Sequence, residues 1–249
     1  MERSVLEVSH FRKEYGGAIA VRDLSLSVAP GEICGFIGHN GAGKTTLIRS
    51  MVGAQPPTSG TIRVCGHDVW RDAIAAKRLM AYVPDNPDVY DFLTGMQYLD
   101  LIADVFGVDA VERRQRASEL STRLELADAL GDPVSSYSHG MRQKLVLTGA
   151  LLHDPALLVL DEPFVGLDPA ASHELKVILR ERADAGGAVF FSSHVLEVVE
   201  RLCDTVAVIR HGELVAFGPT DEVRGSASLE DVFLELVEKG ADSVHPSRA

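Results

Sequence analysis

The sequence has little of what marks a secreted protein or a zinc protein. Its 249 residues include three cysteines and one tryptophan, and aromatic residues make up 6% of the chain. The cysteines are odd in number and far apart, and they form no CxxC pair, so neither a disulfide framework nor a zinc site is indicated. We expect a reducing compartment and expect the thiols to be small, mostly buried groups. They are Cys34, Cys65 and Cys203.

Long apolar runs and an excess of positive charge are also missing. No segment approaches the roughly 18 consecutive apolar residues of a membrane-spanning helix, and residues 1–13 lack the apolar core of a signal peptide. We therefore expect a soluble chain. The formal net charge of −12 argues against general nucleic-acid binding, because that affinity depends on lysine and arginine neutralising phosphates. We predict no nucleic-acid partner.

What is present is enough apolar material for one full core. Hydrophobic residues make up 46% of the chain, and the length is one that a single α/β domain commonly fills. Alternating segments at residues 5–8 and 24–28 flank a Gly-Gly turn and predict an antiparallel β subdomain. Further apolar runs separated by amphipathic stretches predict a mainly parallel sheet with helices. The predicted strands are residues 157–160, 188–191 and 205–209, and the predicted helices are residues 170–185 and 195–202.

The middle of the chain has a different pattern. Residues 90–153 have helical periodicity and no convincing strand, which predicts an α-helical subdomain over 86–153, inserted into a domain that spans 3–239. Towards the end, "RHGELVAFG" predicts a hairpin around His211 and Gly212, and "SLEDVFLELVEKG" predicts a capped helix after Ser228. We expect residues 240–249 to form a flexible tail.

A phosphate-binding loop is predicted by "GHNGAGKT" at residues 38–45, which matches GxxxxGK[ST] between a strand and a helix. Glycines let the backbone curl so that its amides converge on phosphate oxygens, Lys44 adds a charge for the β and γ phosphates, and the Thr45 hydroxyl ligates magnesium. The alternative is a glycine-rich turn with an exposed lysine. The predicted nucleotide-binding residues here are Gly38, His39, Asn40, Gly41, Ala42, Gly43, Lys44, Thr45 and Thr46.

Two carboxylates follow the buried segment "LLVLDEP" at residues 157–163. They would lie at the edge where open α/β sheets bind ligands. We predict that Asp161 holds magnesium through water and that Glu162 orients and deprotonates the attacking water. Alone, such a pair could be solvated loop carboxylates, but a phosphate-binding loop earlier in the chain favours the catalytic interpretation.

The segment "YSHGMRQK" at residues 137–144 opens a helical stretch. Ser138 can accept hydrogen bonds from the free amides of the first helical turn, as an N-cap does. A helix N-terminus is also an anion site, because its amides and its dipole favour negative charge. Both interpretations of Ser138 remain open, and they are compatible.

Together these motifs make the sequence resemble the ATP-binding subunits of ABC transporters, over almost the whole chain and in the right order. The family carries an LSGGQ-like signature at a helix N-terminus, and "YSHGM" stands in its place, with Ser138 and Gly140 matching and Tyr137, His139 and Met141 departing. The resemblance implies that the signature of one subunit closes on the γ-phosphate bound by the other. It therefore implies a head-to-tail dimer, which we expect to be a homodimer.

The resemblance also implies roles for four further residues. Tyr15 would stack on adenine, Asp168 in "GLDP" would connect the two sites of the dimer, and His194 would contact the γ-phosphate as part of the catalytic machinery, with Glu162 and Lys44. Where the family usually has a glutamine near magnesium and the membrane subunit, "AYVPDN" places Asp85, with Asn86 as the neighbouring candidate. A carboxylate can still offer an oxygen to magnesium, so Asp85 is a candidate ligand, whereas its coupling role is in question.

The function implied is an ATP-hydrolysing motor subunit that uses ATP and Mg²⁺ and docks on separate transmembrane permease subunits at the cytoplasmic face of the cell membrane. "YSHGMRQK" with "LEDVFLELV" resembles the export-type subfamily. The alternative is a soluble ABC ATPase of an assembly pathway such as iron–sulfur cluster formation. A DNA-repair relative is disfavoured because no long coiled coil fits between Lys44 and Ser138, and a GTPase because the sequence has no NKxD motif.

Overall fold

The computed structural model describes residues 4–238. The expected tail, residues 240–249, lies outside the described residues, as does residue 239. Within residues 4–238 the chain forms ten strands, nine α-helices and two short 3₁₀ turns. In chain order the elements are β1 (Leu6–Tyr15), β2 (Ala18–Val28), β3 (Ile33–Ile37), α1 (Lys44–Met51), β4 (Ser59–Val64), β5 (His67–Asp68), α2 (Ala73–Arg78), β6 (Met80–Val83), α3 (Gly95–Phe106), α4 (Ala110–Arg123), α5 (His139–Leu151), β7 (Leu157–Asp161), α6 (Pro169–Asp184), β8 (Ala188–Ser192), α7 (Leu196–Leu202), β9 (Thr205–Arg210), β10 (Glu213–Pro219), α8 (Thr220–Arg224) and α9 (Leu229–Glu238).

All ten strands belong to one sheet, in the order β5-β4-β1-β2-β10-β9-β3-β8-β7-β6. The strands from β9 to β6 run parallel, and every side chain of β3, β7 and β8 is buried, as expected for strands covered on both faces. Successive side chains of β3 enter two apolar clusters, one on each face of the sheet. The predicted α/β fold with a mainly parallel core is therefore confirmed.

The antiparallel part consists of β1, β2, β4 and β5. Gly16 and Gly17 both have positive φ in the turn between β1 and β2, which is the conformation that a tight hairpin requires. The predicted antiparallel subdomain is confirmed, although β1 is longer than expected because irregular pairing around His10 lets it continue to Tyr15. A short parallel pairing of Glu213 with Asp23 joins this part to the core.

The helical insert is formed by α3, α4 and α5. A Thr94–Gln97 capping box begins α3, and Gly107 in a left-handed conformation ends it. Helix α5 packs closely on α3, as a Cβ added at Gly149 would lie only 3.2 Å from the Tyr98 ring. Residues 143–151 of α5 are buried. Helix α5 therefore anchors the insert to the core, and the chain continues from it into β7. The predicted helical insert is confirmed.

The C-terminal elements follow the predicted pattern. Strands β9 and β10 form the expected hairpin, with His211 and Gly212 at positive φ in its turn. Helix α9 begins after Ser228, whose side chain accepts a hydrogen bond from the backbone N–H of Asp231 at 3.1 Å. The helix packs on the core through one fully buried residue, Leu229, and two partly buried residues, Phe233 and Leu236.

The cysteines differ in part from the expectation. Cys34 and Cys203 are buried and free, as predicted. Cys65 is exposed, because it stands in the turn between β4 and β5, outside both apolar clusters of the described residues.

Candidate functional site

The loop between β3 and α1 is folded tightly against neighbouring backbone. A Cβ at Gly38 would lie 2.5 Å from the Ile209 carbonyl oxygen, and one at Gly43 would lie 2.9 Å from the Ala20 carbonyl oxygen. Gly43 also has a φ of 111°, a region that other residues rarely enter. It precedes α1 and no side chain caps that helix, so the first amides of α1 are free to receive an anion.

Lys44 is buried at the start of α1. Its Nζ donates to the carbonyl oxygens of Gly38 at 2.6 Å and His39 at 3.3 Å, inside the loop that it follows. Burial lowers the pKa of the Lys44 ammonium group, while the nearby carboxylates of Glu162 and Asp161 act in the opposite direction. The lysine is therefore held by two carbonyls that an incoming phosphate could replace.

The end of β7 places two carboxylates beside this loop. Asp161 is buried, and its Oδ1 accepts a 2.6 Å hydrogen bond from the hydroxyl of Ser192. Burial raises the pKa of Asp161, the negative charges of Asp85 and Glu162 add to the rise, and the Ser192 hydrogen bond and Lys44 oppose it. A buried acid with these neighbours gains from a cation beside it.

Glu162 is held in a defined orientation by its neighbours. Its φ of 49° is unusual for a residue with a side chain and turns the chain sharply after β7. Its Oε2 lies 2.8 Å from Nδ1 of His194 and accepts a second hydrogen bond from the His194 N–H at 3.2 Å. The Ser192 hydroxyl accepts from the Glu162 N–H at 3.0 Å. The structure thus brings the two predicted catalytic residues Glu162 and His194 together.

The phosphate loop, Asp161 and Glu162 line one open cavity of about 260 Å³, whereas His194 lines a neighbouring cavity beside the loop. Asp85 faces the first cavity from the segment after β6, with its Oδ1 accepting a 2.8 Å hydrogen bond from the N–H of Asn86. The cavity is also close to the antiparallel part of the sheet, through Ala20 of β2. Its lining residues are Ala20, His39, Asn40, Gly41, Gly43, Lys44, Thr45, Thr46, Asp85, Asp161 and Glu162.

The predicted metal ligands fit magnesium in chemical type. Thr45, Asp161 and Asp85 bring one hydroxyl and two carboxylates to the same cavity, and magnesium prefers oxygen ligands of this kind. Among residues 4–238, no group of three or more His, Cys, Asp or Glu side chains could by itself hold a metal ion. Such a sparse set suits Mg²⁺, which usually keeps several waters and takes other ligands from substrate phosphates.

The predicted signature residues lie elsewhere. Ser138 is the N-cap of α5 and accepts a 3.2 Å hydrogen bond from the N–H of Met141, so the capping interpretation holds. Gly140 approaches the loop after β7 so closely that a Cβ there would lie 2.6 Å from the Gly166 carbonyl oxygen. Neither Ser138 nor Gly140 lines the cavity around Lys44.

Asp168 contacts α5, the helix of its own chain that begins with the predicted signature residues. It caps α6 by accepting a 2.8 Å hydrogen bond from the N–H of Ala171, and its Oδ2 lies 2.8 Å from Nζ of the nearly buried Lys144 on α5. The Ala171 hydrogen bond and then Lys144 lower the pKa of Asp168. The loop after β7 and the start of α5 therefore form one packed unit.

Tyr15, the predicted adenine-stacking residue, lies at the exposed end of a strand. It ends β1 with 46% of its surface exposed, and Nζ of Lys13 lies 5.0 Å from its ring centroid. It does not line the cavity around Lys44. The stacking of Tyr15 on adenine therefore stays a prediction.

Two contacts of the site have no counterpart in the sequence-based prediction. Ser192 joins Asp161 to the backbone of Glu162, and Lys144 joins α5 to Asp168. A signal for Ser192 does exist, because "FFSSH" places polar residues at the end of a buried strand, the pattern that identified Asp161 and Glu162. Lys144 lies on a helix among apolar residues and carries no such signal.

Comparison with known proteins is consistent with this geometry. Among residues 4–238, no helix is long and apolar enough to cross a membrane. A family model described as ABC transporter matches residues 21–165. The Nod factor export ATP-binding protein I of Cupriavidus metallidurans is 33% identical over 245 residues, which are 98% of this chain and 80% of that protein.

Solved structures extend the likeness to the whole fold. The structure of an ATP binding subunit of an ABC transporter is 33% identical, with a TM-score of 0.91, and the match covers 94% of this chain and all of that one. The cbiO1 protein of Clostridium perfringens, part of the ABC transporter complex cbiONQ, is 25% identical with a TM-score of 0.78 over 97% of this chain and 99% of that one. The chain therefore belongs to the ABC transporter family, as an ATP-hydrolysing, ATP-binding subunit that drives a transporter.

Proposed function

We propose that ATP is hydrolysed in the cavity between the phosphate loop and the end of β7. Lys44 binds the β and γ phosphates, with the free amides of α1 beside it. Thr45 and Asp161 hold magnesium, with Asp85 as a further, weaker oxygen ligand, and the ion supplies positive charge to the reacting phosphates. The observation that carries this proposal is that Lys44, Asp161 and Glu162 line one cavity.

Glu162 acts as the general base for the attacking water. Its carboxylate is fixed by the two contacts to His194, so it needs little reorganisation before it accepts a proton. His194 in turn is 61% exposed on its side chain, which leaves its ring free to reach a γ-phosphate oxygen. The pair thus links the base to the phosphate that is transferred.

The complete site needs a second subunit. Ser138 and Gly140 stand outside the cavity of their own chain, at an exposed helix N-terminus that suits an anion. We propose a head-to-tail homodimer in which this N-terminus faces the γ-phosphate held by the partner. Asp168, fixed to the same helix by Lys144, carries the signal between the two sites.

A separate apolar groove supports docking on a membrane permease. The groove, of about 380 Å³, lies between the end of α1, β6, α3 and α5. It is linked to the ATP cavity through Tyr82, which lines the groove and whose pKa is raised to about 12 by burial and by the charges of Asp161 and Asp85. We propose that an apolar segment of a permease subunit fills it. The apolar lining residues include Met80, Tyr98, Ile102, Phe106 and Val146.

We propose that the subunit lies at the cytoplasmic face of the cell membrane, bound there through its permease. We propose export as the direction of transport, supported by the export function named for the Cupriavidus metallidurans relative and by the "YSHGMRQK" and "LEDVFLELV" segments. The alternative, a soluble ATPase of an assembly pathway, is not favoured, because the similar proteins are ATP-binding subunits of transporters.

The substitution Glu162→Gln tests the proposed chemistry. The amide keeps an oxygen for His194 but cannot accept the water proton, while Lys44 and Thr45 are unchanged. We expect turnover to fall by at least about 100-fold, whereas Mg²⁺ and ATP still drive the variant into a dimer. Size-exclusion chromatography with and without Mg²⁺ and ATP, together with phosphate release, measures both effects.

Glu197→Gln is the matched control, because it removes the same charge outside the cavity. Glu197 lies on α7, and 73% of its side chain is exposed. This variant should behave as the wild type. A Glu162→Gln protein that hydrolyses ATP at the wild-type rate would exclude Glu162 as the base, and one that stays monomeric would contradict ATP-driven dimer formation.

A further inference from the structure

Helix α9, near the end of the described chain, contacts the phosphate loop through a ring pair. The ring centroids of Phe233 and His39 are 5.0 Å apart, with an angle of 55° between the rings. Phe233 lies on the face of α9 that packs on the core, with Leu229 and Leu236 one turn to either side. An element far along the chain therefore contacts the residue directly after Gly38.

Helix α9 is fixed at both ends, so its contact with His39 has a defined position. At its start Leu229 is fully buried, and its N–H donates a 2.8 Å hydrogen bond to Oε2 of Glu200 on α7. Near its end the guanidinium of Arg210, the last residue of β9, donates to the carbonyl of Leu236. These contacts hold the Phe233 ring against the loop.

His39 in turn holds the loop and the lysine. Its carbonyl oxygen accepts from the N–H of Ala42 at 3.1 Å and lies 3.3 Å from Nζ of Lys44. The His39 side chain is otherwise exposed, and its ring packs against Phe233. Because the ring and the carbonyl belong to one residue, a shift of the His39 backbone that takes the carbonyl away from Ala42 and Lys44 would also pull the ring off Phe233.

Phe233 also faces the segment that carries His194. A cavity of about 530 Å³ opens between the phosphate loop and this segment, and Phe233 forms part of its wall together with His39, Asn40, Ser193, His194 and Leu196. Phe233 therefore borders both the phosphate loop and the segment that carries His194.

We propose that Phe233 is a positioning residue for ATP hydrolysis, which fixes His39 and, through the His39 carbonyl, the loop that holds Lys44. The inference rests on the proposed binding of phosphates by Lys44. An aromatic pair of this kind changes an equilibrium by about two- to tenfold. Loss of the ring should therefore weaken ATP binding by that factor, with a smaller change in kcat.

The test compares three variants of the full chain: Phe233→Ala, Phe233→Leu and Phe233→Tyr. Phe233→Leu keeps an apolar side chain on the core, so the comparison survives if Phe233→Ala unfolds. Binding of a fluorescent ATP analogue with Mg²⁺ and the steady-state KM and kcat for ATP are measured. We expect two- to tenfold weaker binding and a higher KM for the Leu and Ala variants, with restoration by Tyr. Leu234→Ala, the adjacent position with 47% exposure, is the control and should match the wild type.

A double-mutant cycle with His39→Ala isolates the ring pair. If Phe233 acts through His39, the His39→Ala, Phe233→Leu double variant binds no more weakly than the His39→Ala protein; independent, multiplying losses overturn the inference. Wild-type binding by Phe233→Leu, or a loss that Phe233→Tyr does not restore, also overturns it. The variant Lys44→Ala distinguishes a failure of the proposed ATP site from a failure of the role of Phe233. If Lys44→Ala still binds ATP, the proposed site is refuted. If Lys44→Ala loses binding while Phe233→Leu binds normally, only the role of α9 is refuted.

Discussion

Three carboxylates face one cavity at the carboxyl ends of the parallel strands. Asp161 is the most buried of them, and its pKa is raised first by burial and then by the negative charges of Asp85 and Glu162. Asp85 contributes from an exposed position where only the N–H of Asn86 is seen to bond it within residues 4–238. At the residue scale, Asp85 thus opposes both the ionisation of Asp161 and the arrival of a triphosphate.

The substitution Asp85→Gln should leave ATP binding unchanged or strengthen it. It removes one negative charge from the cavity, which reduces repulsion of the phosphates and favours the ionised form of Asp161, while keeping an oxygen that can face magnesium. Any marked loss should appear in stimulation of hydrolysis by the permease. Titration calorimetry of the isolated subunit with Mg²⁺ and ATP measures the affinity.

Asp88→Asn is the matched control, because Asp88 lies in the same segment, is exposed and does not line the cavity. It should leave the affinity as it is. A tenfold loss of affinity in Asp85→Gln alone, or about 1.4 kcal/mol, would contradict the weak role proposed for Asp85 and show that magnesium binding depends on its charge.

Much of this site could be predicted from the sequence, and the rest depends on register. Asp161 and Glu162 directly follow an apolar run, and Lys44 ends a glycine-rich loop, so their place at strand or helix ends is a local property. Ser192 reaches Asp161 because the two residues are paired partners in the ladder between β8 and β7. Nothing within a few residues of Ser192 indicates that pairing.

At the scale of elements, the wall of the apolar groove is formed by α3 and α5 on one side and by β6 and the end of α1 on the other. The groove spans the boundary between the helical insert and the sheet. Pressure on it from a bound segment would act on α5, whose N-terminus carries Ser138, and on β6, which leads to Asp85. Ser138, proposed to face the partner's γ-phosphate, and Asp85, the proposed weaker magnesium ligand, therefore each adjoin an element that forms the groove.

The substitution Ile102→Ser should weaken docking on the permease. Ile102 lines the groove from α3 and is partly buried, and a serine hydroxyl covered there by an apolar segment without a hydrogen-bond partner costs about 1–3 kcal/mol. We expect the variant to copurify poorly with membrane partners from gently solubilised membranes and to lose stimulation of its ATPase. Its basal hydrolysis should stay close to that of the wild type, because Ile102 does not line the cavity around Lys44.

Val111→Ser on α4 is the control, because Val111 is 66% exposed and does not line the groove. It should copurify normally. Normal copurification and stimulation of Ile102→Ser would place the docking surface elsewhere.

Elements differ in how far the sequence predicts them. The compact apolar runs of β7, β8 and β9 can be recognised directly, because each is buried on both faces. Strands β4 and β5 were not predicted: "SGTIRV" opens with serine and glycine and carries a charge, and β5 is two residues long. Their strand conformation depends on pairing with β1 and with each other, which is a tertiary effect.

At the scale of the whole molecule, the ATP cavity and the signature helix lie in different parts of one chain. Ser138 caps α5 and faces outward, while Lys44 lies in its own loop across the sheet. A head-to-tail dimer therefore contains two composite sites, each built from the phosphate loop of one subunit and α5 of the other.

A heterodimer of one Ser138→Arg chain and one Lys44→Ala chain tests this arrangement. Both defects then fall in one composite site, and the second site keeps a normal lysine and a normal serine. We expect residual ATP hydrolysis in the heterodimer and none in either mutant homodimer. The two chains carry different affinity tags, so tandem purification isolates the mixed dimer before phosphate release is measured.

Melting curves of both single variants serve as the control for folding, since each changed residue lies at a helix N-terminus where a cap or a loop contact is altered. Two stable homodimers and an inactive heterodimer would contradict independent composite sites. Activity in the Ser138→Arg homodimer would contradict any role of Ser138 beyond capping.

The pairing of β2 with β10 is the shortest strand pairing in the sheet, with a single residue pair among the described residues. Glu213 pairs with Asp23 there, supported by the Arg22 N–H to the Gly212 carbonyl at 2.9 Å and by the exposed ion pair of Arg22 with Glu213. Gly212 and Gly43 both pack against the backbone of Ala20 beside this pairing. Tension across the sheet therefore concentrates next to the phosphate loop, so that a mechanical load and a nucleotide act on the same short stretch of backbone.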